Sequence, residues 1–334
     1  MHTSRNVHRA GPERVRPAFT IAAGRLTAVL PAGTRLSQRS DLGVFVSVKP
    51  EKQVVDLTGV SETALLTLNS RASEAARVDG VIEDPLAIQL VDAMEVDFAK
   101  FGRTRQEIAL RAASFDAHTR AYLEQHPKAT VVALAEGLQT SFWRLDSAIP
   151  DGEFRWITVD LPAVVELRSR LLPKSPRITL CAQSALDYSW MDQVDPSNGV
   201  FITAEGLLMY FRREKVLELV AECARRFPGG RLLFDLLPPL LVGLSQRRGL
   251  RASRSYRVPD LPFGASATEL VTLLGPLPGV GAVRAAERAP RGRGRAFRAR
   301  QSLGHRLPGR LSDWLNDSLT IVEFAEETPS STLR

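Results

Sequence analysis

The chain has only two cysteines, Cys181 and Cys223, in 334 residues. They are too few for a disulfide framework and are not spaced as zinc ligands, so the expectation is a reducing compartment and two buried apolar thiols. Long apolar runs are also missing. Arg, Asp or Gly interrupts every candidate well before the roughly 20 residues a membrane-spanning helix requires, and a soluble, cytoplasmic protein without a membrane partner is expected. Two phosphate-binding signatures are absent. No G-x-G-x-x-G opens a helix, because the stretch at the corresponding place reads Ala135-Glu136-Gly137-Leu138-Gln139-Thr140, and no G-x-x-x-x-G-K-[ST] occurs. Dinucleotide and nucleoside triphosphate chemistry thereby lose their strongest support.

Positive charge is present in excess, at a formal +7, but it is unevenly placed. Residues 1–43 hold seven Arg against Glu13 and Asp41, a net +5, which leaves only +2 for the rest. Eight further Arg lie between Arg288 and Arg310, including the run Arg291-Gly-Arg293-Gly-Arg295. The body between these clusters is mildly acidic. A nucleic-acid groove would carry its basic footprint on the folded face, so this distribution argues against a nucleic-acid partner. The Arg-Gly-Arg run alone keeps a flexible basic arm as an alternative.

Residues 1–44 show no helical or strand periodicity and no convincing cleavage site. They read as a disordered leader or as sequence upstream of a mis-assigned start, with an organellar transit peptide as a further alternative. Beyond them, Ser61 can cap a helix whose apolar face is Leu65, Leu68, Ala72 and Ala76. A second helix covers Gln106 to Gln125 and stops at His126-Pro127, where a residue before proline resists the helical region. Short apolar runs then alternate with helical periodicity. Strands are expected at 130–135, 154–159, 178–182, 200–204 and 231–236, with helices from Pro162 to Leu172 and from Glu214 to Phe227. Closing strands are expected at 281–286 and 318–324. This alternation predicts an α/β fold: a doubly wound, mostly parallel seven-stranded sheet with an N-terminal helical elaboration. The expected division is a helical cap over 45–128, the α/β core over 129–325, and a tail over 326–334.

In such a sheet a ligand sits beyond the carboxyl ends of the strands, where the strand order reverses. Glu136, Gly137, Asp160, Ser184 to Asp187 and Glu205 fall at those ends. An acid after the second strand can accept both ribose hydroxyls of an adenosyl group, and a glycine after the first lets the backbone approach it. Asp160 and Gly137 suit those roles; they suit a helix cap and a turn equally well.

Several spaced motifs occur together: the run from Thr130 through Ala135-Glu136-Gly137-Leu138-Gln139-Thr140 to Arg144, Val159-Asp160-Leu161-Pro162, Asn69-Ser70-Arg71-Ala72, Asp84-Pro85-Leu86-Ala87, Ser184-Ala185-Leu186-Asp187 with Trp190, and Ala204-Glu205-Gly206 to Tyr210. With the closing Leu319 to Phe324 they span residues 45 to 325. In this the chain resembles the leucine carboxyl methyltransferase family, in particular its bacterial branch of tetracenomycin-type polyketide O-methyltransferases.

The resemblance implies a class I methyltransferase dependent on S-adenosyl-L-methionine, acting on a small-molecule carboxylate, phenol or hydroxyl. It further implies that Arg71 pairs with the methionine carboxylate, and that Ala135, Glu136 and Gly137 form the loop against the cofactor. Asp160 and Leu161 would hold the ribose end, Ser184 and Ala185 would border the adenine, and Glu205 would face the methionine end. By itself Arg71 reads as a solvated helix charge beside Glu74 at i+3.

The sequence departs from the family's pattern where Ala135 replaces a glycine, Gln139 an aspartate and Ser184 an acidic residue. Ala135 and Gln139 keep a second reading open, a methyltransferase fold that binds ligand without turnover. An oxidoreductase on the same sheet is disfavoured by the missing glycine fingerprint. Methyl transfer needs chiefly positioning. A carboxylate acceptor needs no base, whereas a hydroxyl acceptor would call on Tyr210, Glu205 or His118; no catalytic base is assigned.

Overall fold

The computed structural model describes residues 52–288, 292–295, 297–298 and 317–326. The expected leader, most of the Arg-rich loop and nearly all of the tail lie outside the described residues. All those described belong to the compact unit that begins at Pro50.

The core is one seven-stranded sheet. Its strands are β1 (Thr130–Leu134), β2 (Arg155–Asp160), β3 (Ile178–Ala182), β4 (Val200–Ala204), β5 (Arg231–Leu236), β6 (Val280–Ala285) and β7 (Ser318–Phe324). They lie in the order β3-β2-β1-β4-β5-β7-β6. The first five pair parallel, and β7 runs antiparallel to both β5 and β6. The strand order reverses between β1 and β4, so the ends of these two strands flank the crevice that this topology offers a ligand.

The central strands read as continuous apolar runs because both faces are covered. All five residues of β1 and all five of β4 are buried. Alternate residues serve opposite faces: Val132 and Leu134 pack with Ile202 and the apolar stripe of α6 (Arg213–Arg226), while Val131 and Ala133 pack with Phe115, Phe142, Trp156 and Phe201. The α6 stripe is Val216, Leu219, Val220, Cys223 and Ala224, a helical spacing that puts every member on the sheet side. Each such side chain contributes roughly 1.5–3 kcal/mol by leaving water.

The helices α1 (Thr63–Ala75), α2 (Pro85–Ala93) and α3 (Gln106–Gln125) precede the sheet, α4 (Ser141–Ala148) follows β1, and α5 (Pro162–Leu171) follows β2. The last two helices, α7 (Pro239–Arg248) and α8 (Ala267–Leu274), lie between β5 and β6. Expectations for α3, α5 and the strands hold to within about a residue. Ser61 differs: α1 begins at Thr63 with Glu62 at the cap position and no side-chain cap. The first-turn donors Thr63 N, Ala64 N and Leu65 N are taken by the carbonyls of Val60, Ser61 and Glu62, which leaves a capping hydroxyl nothing to do.

The Arg-Gly-Arg run is partly folded onto the body. Arg293 pairs with Glu74 at 2.5 Å and exchanges backbone hydrogen bonds with the Gln106 side chain. Glu74 therefore neutralises Arg293 and not its helix neighbour Arg71. No described helix is long and apolar enough to cross a membrane.

At the end of β1 the chain turns sharply. Ala135 has φ +48°, alone among the described non-glycine residues in the left-handed region, and Gly137 follows at φ +59°. A β-carbon in that region costs roughly 1–2 kcal/mol. Replacing Ala135 by Gly is expected to raise unfolding stability by roughly 0.5–1 kcal/mol after the added unfolded-state entropy is subtracted. Urea denaturation followed by circular dichroism checks this; an unchanged or lower midpoint would show that the turn relaxes without strain.

Candidate functional site

The loop after β1 is fixed from three directions. Asp160, at the end of β2, accepts the Gly137 N–H at 2.7 Å on one carboxylate oxygen and the Leu161 N–H at 2.7 Å on the other. From α5, Arg168 Nη1 donates to the carbonyls of Gly137 at 2.7 Å and Gln139 at 2.9 Å. Its Nη2 pairs with Glu136 Oε2 at 2.9 Å, and that oxygen also accepts from Thr158 Oγ1 at 2.6 Å and Trp156 Nε1 at 3.3 Å. Glu136 thus spends one carboxylate oxygen beneath the loop, while its buried Oε1 has no hydrogen-bond partner among the described residues. Above, a β-carbon on Gly137 would lie 3.0 Å from Ala64 Cβ, so the loop and α1 meet at a distance that only glycine accommodates without adjustment. Burial raises the pKa of Asp160 above the ordinary 3.8, although the Gly137 and Leu161 N–H groups and Arg168 oppose it.

Arg71 is fully buried in α1. Its Nε donates to Asp84 Oδ2 at 3.2 Å and its Nη2 to the Leu138 carbonyl at 2.7 Å, while Nη1 has no hydrogen-bond partner among the described residues. Asp84 caps α2 through the Ala87 N–H at 3.0 Å and also takes Thr140 Oγ1 and Arg144 Nη1, each at 2.7 Å. Against burial, which raises it, Arg144 and then Arg71 hold the Asp84 carboxyl below the ordinary aspartate value. Arg144 in turn is gripped by Asp116 at 2.6 Å. Burial, aided by the like charge of Arg144, presses the Arg71 pKa down against the pull of Asp84. The guanidinium nonetheless stays charged at any physiological pH.

At the end of β4, Glu205 accepts from Arg111 Nε at 3.0 Å and from Gln139 Nε2 at 2.8 Å, one donor per carboxylate oxygen. Arg111 reaches on to Asp235, at the end of β5, at 3.5 Å, and Asp235 takes the Gly206 N–H at 2.6 Å. Burial raises the pKa of Tyr210, against a hydrogen bond to Thr63 and the nearby Arg111.

The sequence-predicted residues therefore divide. Arg71, Gly137 and Asp160 share the β1 loop with Ala135 and Glu136, and Gln139 links that loop to Glu205. Leu161 is exposed at 45%, and Ser184 is exposed where it accepts the Leu186 N–H. Ala185 is buried, its carbonyl accepting Trp190 Nε1 at 3.1 Å. His118 is elsewhere: Nε2 meets the Glu287 carbonyl at 2.8 Å, and the ring lines a cavity with Phe201 and Arg231 near the opposite ends of the strands.

Sequence reasoning did not single out Arg168 or Arg111. The available signal was an arginine inside a buried stripe: Arg168 lies among Val164, Val165 and Leu167, and Arg111 follows Ala109 and Leu110. An arginine in such company needs a partner.

The leucine carboxyl methyltransferase family model matches residues 64–224. The tetracenomycin polyketide synthesis O-methyltransferase TcmP of Streptomyces glaucescens is 32% identical over 215 residues, which cover 64% of this chain and 77% of that protein. The S-adenosyl-L-methionine-dependent methyltransferase dpfgK of Gibberella zeae is 29% identical over 207 residues, 55% of this chain and 68% of its own. Among solved structures, human N-acetylserotonin methyltransferase in complex with SAM is 12% identical, covers 80% of this chain and 67% of its own, and aligns at a TM-score of 0.40.

Arg168→Met removes the cation from beneath the loop and leaves the buried Glu136 carboxylate unpaired. Breaking a buried pair on one side costs about 3–5 kcal/mol. Thermal and urea unfolding are expected to show a loss of that size, and the double variant with Glu136→Gln to recover part of it. A loss below about 1 kcal/mol, in the range of an exposed ion pair, would contradict the placement of Arg168.

Proposed function

The chain belongs to the leucine carboxyl methyltransferase family and is an S-adenosylmethionine-dependent methyltransferase; on that premise we propose that it is an O-methyltransferase whose acceptor is a small-molecule carboxylate. The observation that carries the choice of acceptor is the state of the three candidate bases. His118 is away from the strand ends that bear the site. Glu205 is committed to an ion pair with Arg111 as well as to the Gln139 amide. Burial raises the Tyr210 pKa, so its phenol keeps its proton at neutral pH. A phenol or alcohol acceptor would need one of them free, whereas a carboxylate arrives already ionised. The family's name, that of a carboxyl methyltransferase, and the O-methyltransferase name of the Streptomyces relative agree with this reading.

The residues present suit the cofactor. Arg71 Nη1 is a buried donor left over from the Asp84 network and fits a methionine carboxylate oxygen. Each Asp160 oxygen accepts a single hydrogen bond from the backbone, which leaves lone pairs for ribose hydroxyls. Gly137 gives the backbone its close approach, Ala135 and Glu136 shape the turn, and Leu161, Ser184 and Ala185 offer the surface for the ribose and adenine. Glu205, held by Arg111 and Gln139, presents negative charge toward the methionine end.

S-adenosylmethionine supplies a methyl group on a sulfonium sulfur, which leaves as a neutral thioether. The chain's contribution is to align the acceptor oxygen behind that carbon and to exclude water. A carboxylate acceptor would arrive with no proton to lose, so the chain would need to supply no base for the transfer. Arg71, Asp84 and Arg144 form a rigid charged floor for this alignment, because each guanidinium is held at two or more points.

Calorimetric titration with S-adenosylmethionine is expected to show binding that weakens by roughly 10–100-fold in Arg71→Met or Asp160→Ala, the loss of a hydrogen bond to a charged group. Unchanged affinity in both would overturn the placement, and no binding to the wild type would favour a fold without turnover. Binding to Asp160 requires its ionised form, and its folded pKa is raised. Affinity is therefore expected to fall on acidification from a pH above 3.8, and Asp160→Asn to abolish that dependence. With acceptor panels, transfer to aryl and alkyl carboxylates is expected at a rate flat around neutral pH. A rate that rises tenfold per pH unit with phenols only would show a hydroxyl acceptor.

A further inference from the structure

A second recess lies apart from the strand ends that form the candidate site. A cavity of about 240 Å³ opens between α4, the end of α5 with the turn that follows it, and the edge strand β3. Its walls are apolar: Trp143 from α4, Leu172 after α5, and Ile178 and Leu180 from β3. Leu180 is 39% exposed and Trp143 only half-buried, so the apolar wall is open to solvent. At roughly 30 Å³ per water the volume corresponds to about eight waters, a space matched by a short alkyl chain or one aromatic ring system.

The charge of the lining selects the head group. Arg168 and Lys174 both line the cavity, and no acidic side chain does. Arg168 spends both terminal nitrogens on Glu136 and the loop carbonyls and is buried away from solvent, its Nε having no hydrogen-bond partner among the described residues. Lys174 is exposed and has no ion-pair partner among the described residues. An apolar recess with an unneutralised ammonium group at its mouth complements a molecule with an apolar body and one negative charge.

We propose that this cavity binds a small amphiphilic carboxylate, its apolar part against Trp143, Leu172, Ile178 and Leu180 and its carboxylate on Lys174. Burial of the apolar part provides the affinity. The ion pair sets the orientation and discriminates against neutral analogues. This site is separate from the methyl-transfer site and does not depend on the identity of the acceptor.

The test uses the full chain and octanoate as the probe, with octanamide as its uncharged counterpart, followed by titration calorimetry without S-adenosylmethionine. Octanoate is expected to bind, and octanamide at least about tenfold more weakly, the factor that 1.4 kcal/mol represents. Lys174→Glu, an exposed change that leaves the core untouched, is expected to weaken octanoate by the same factor or more. Leu180→Trp is expected to fill the cavity and remove binding. Octanoate affinity unchanged in both variants would place it elsewhere, at the acceptor site included, and would overturn the proposal. Equal affinity for octanamide, or no binding of octanoate at millimolar concentration, would overturn it as well.

Discussion

A guanidinium beneath two backbone carbonyl oxygens is the constraint on which the candidate site rests. The loop that leaves β1 turns away from the sheet and exposes the carbonyls of Gly137 and Gln139 to the protein interior. Unsatisfied, each would carry the cost of a buried backbone acceptor. Arg168 reaches from α5, serves both, and is itself neutralised by Glu136, which Trp156 and Thr158 hold in place. One side chain thus ties the first βα loop to the helix after β2, the two elements whose relative position sets the distance between Gly137 and Asp160. The Gly137 N–H on Asp160 closes the same connection from above.

A second network fixes the other wall. Asp84 sits before Pro85 at the start of α2, where an aspartate is expected as a cap. It does that work and also stands between Arg71 and Arg144. Two guanidinium groups against Asp84 and Asp116 would repel each other if either acid were lost, so the arrangement is rigid and carries a large penalty for any one deletion. Its consequence is an orphan: three elements converge on Arg71, yet the protein satisfies only part of its fork. Buried arginines are ordinarily satisfied; beside the β1 loop both Arg71, at Nη1, and Arg168, at Nε, keep a buried donor without a partner among the described residues.

Gln139 illustrates how a departure from the family pattern is absorbed. An aspartate there would set a second carboxylate against Glu205. The amide instead donates to Glu205 and accepts from Arg144 at 3.3 Å, so it joins the two charged clusters without adding charge. Ala135 is absorbed differently, by accepting a left-handed backbone that a glycine would adopt freely. Both substitutions leave the loop in place.

The seven strands, helices α3, α5 and α6 and the doubly wound sheet were legible in the sequence because buried parallel strands write themselves as unbroken apolar runs and amphipathic helices as a 3.6-residue period, whereas α2, α4, α7 and α8 were not read from it. The positions at the strand ends, Gly137, Asp160 and Glu205, were legible for the same reason: topology assigns those ends to the ligand crevice. Periodicity is a local property, and it says nothing about which distant charges meet. Only the tertiary structure decided that Arg71 answers to Asp84 and not to Glu74, that Glu74 is claimed by Arg293 some 219 residues along the chain, and that Glu136 turns beneath its loop. Partners for buried charges are chosen by proximity in the fold, where desolvation makes an unpaired ion intolerable, and sequence spacing does not encode that proximity.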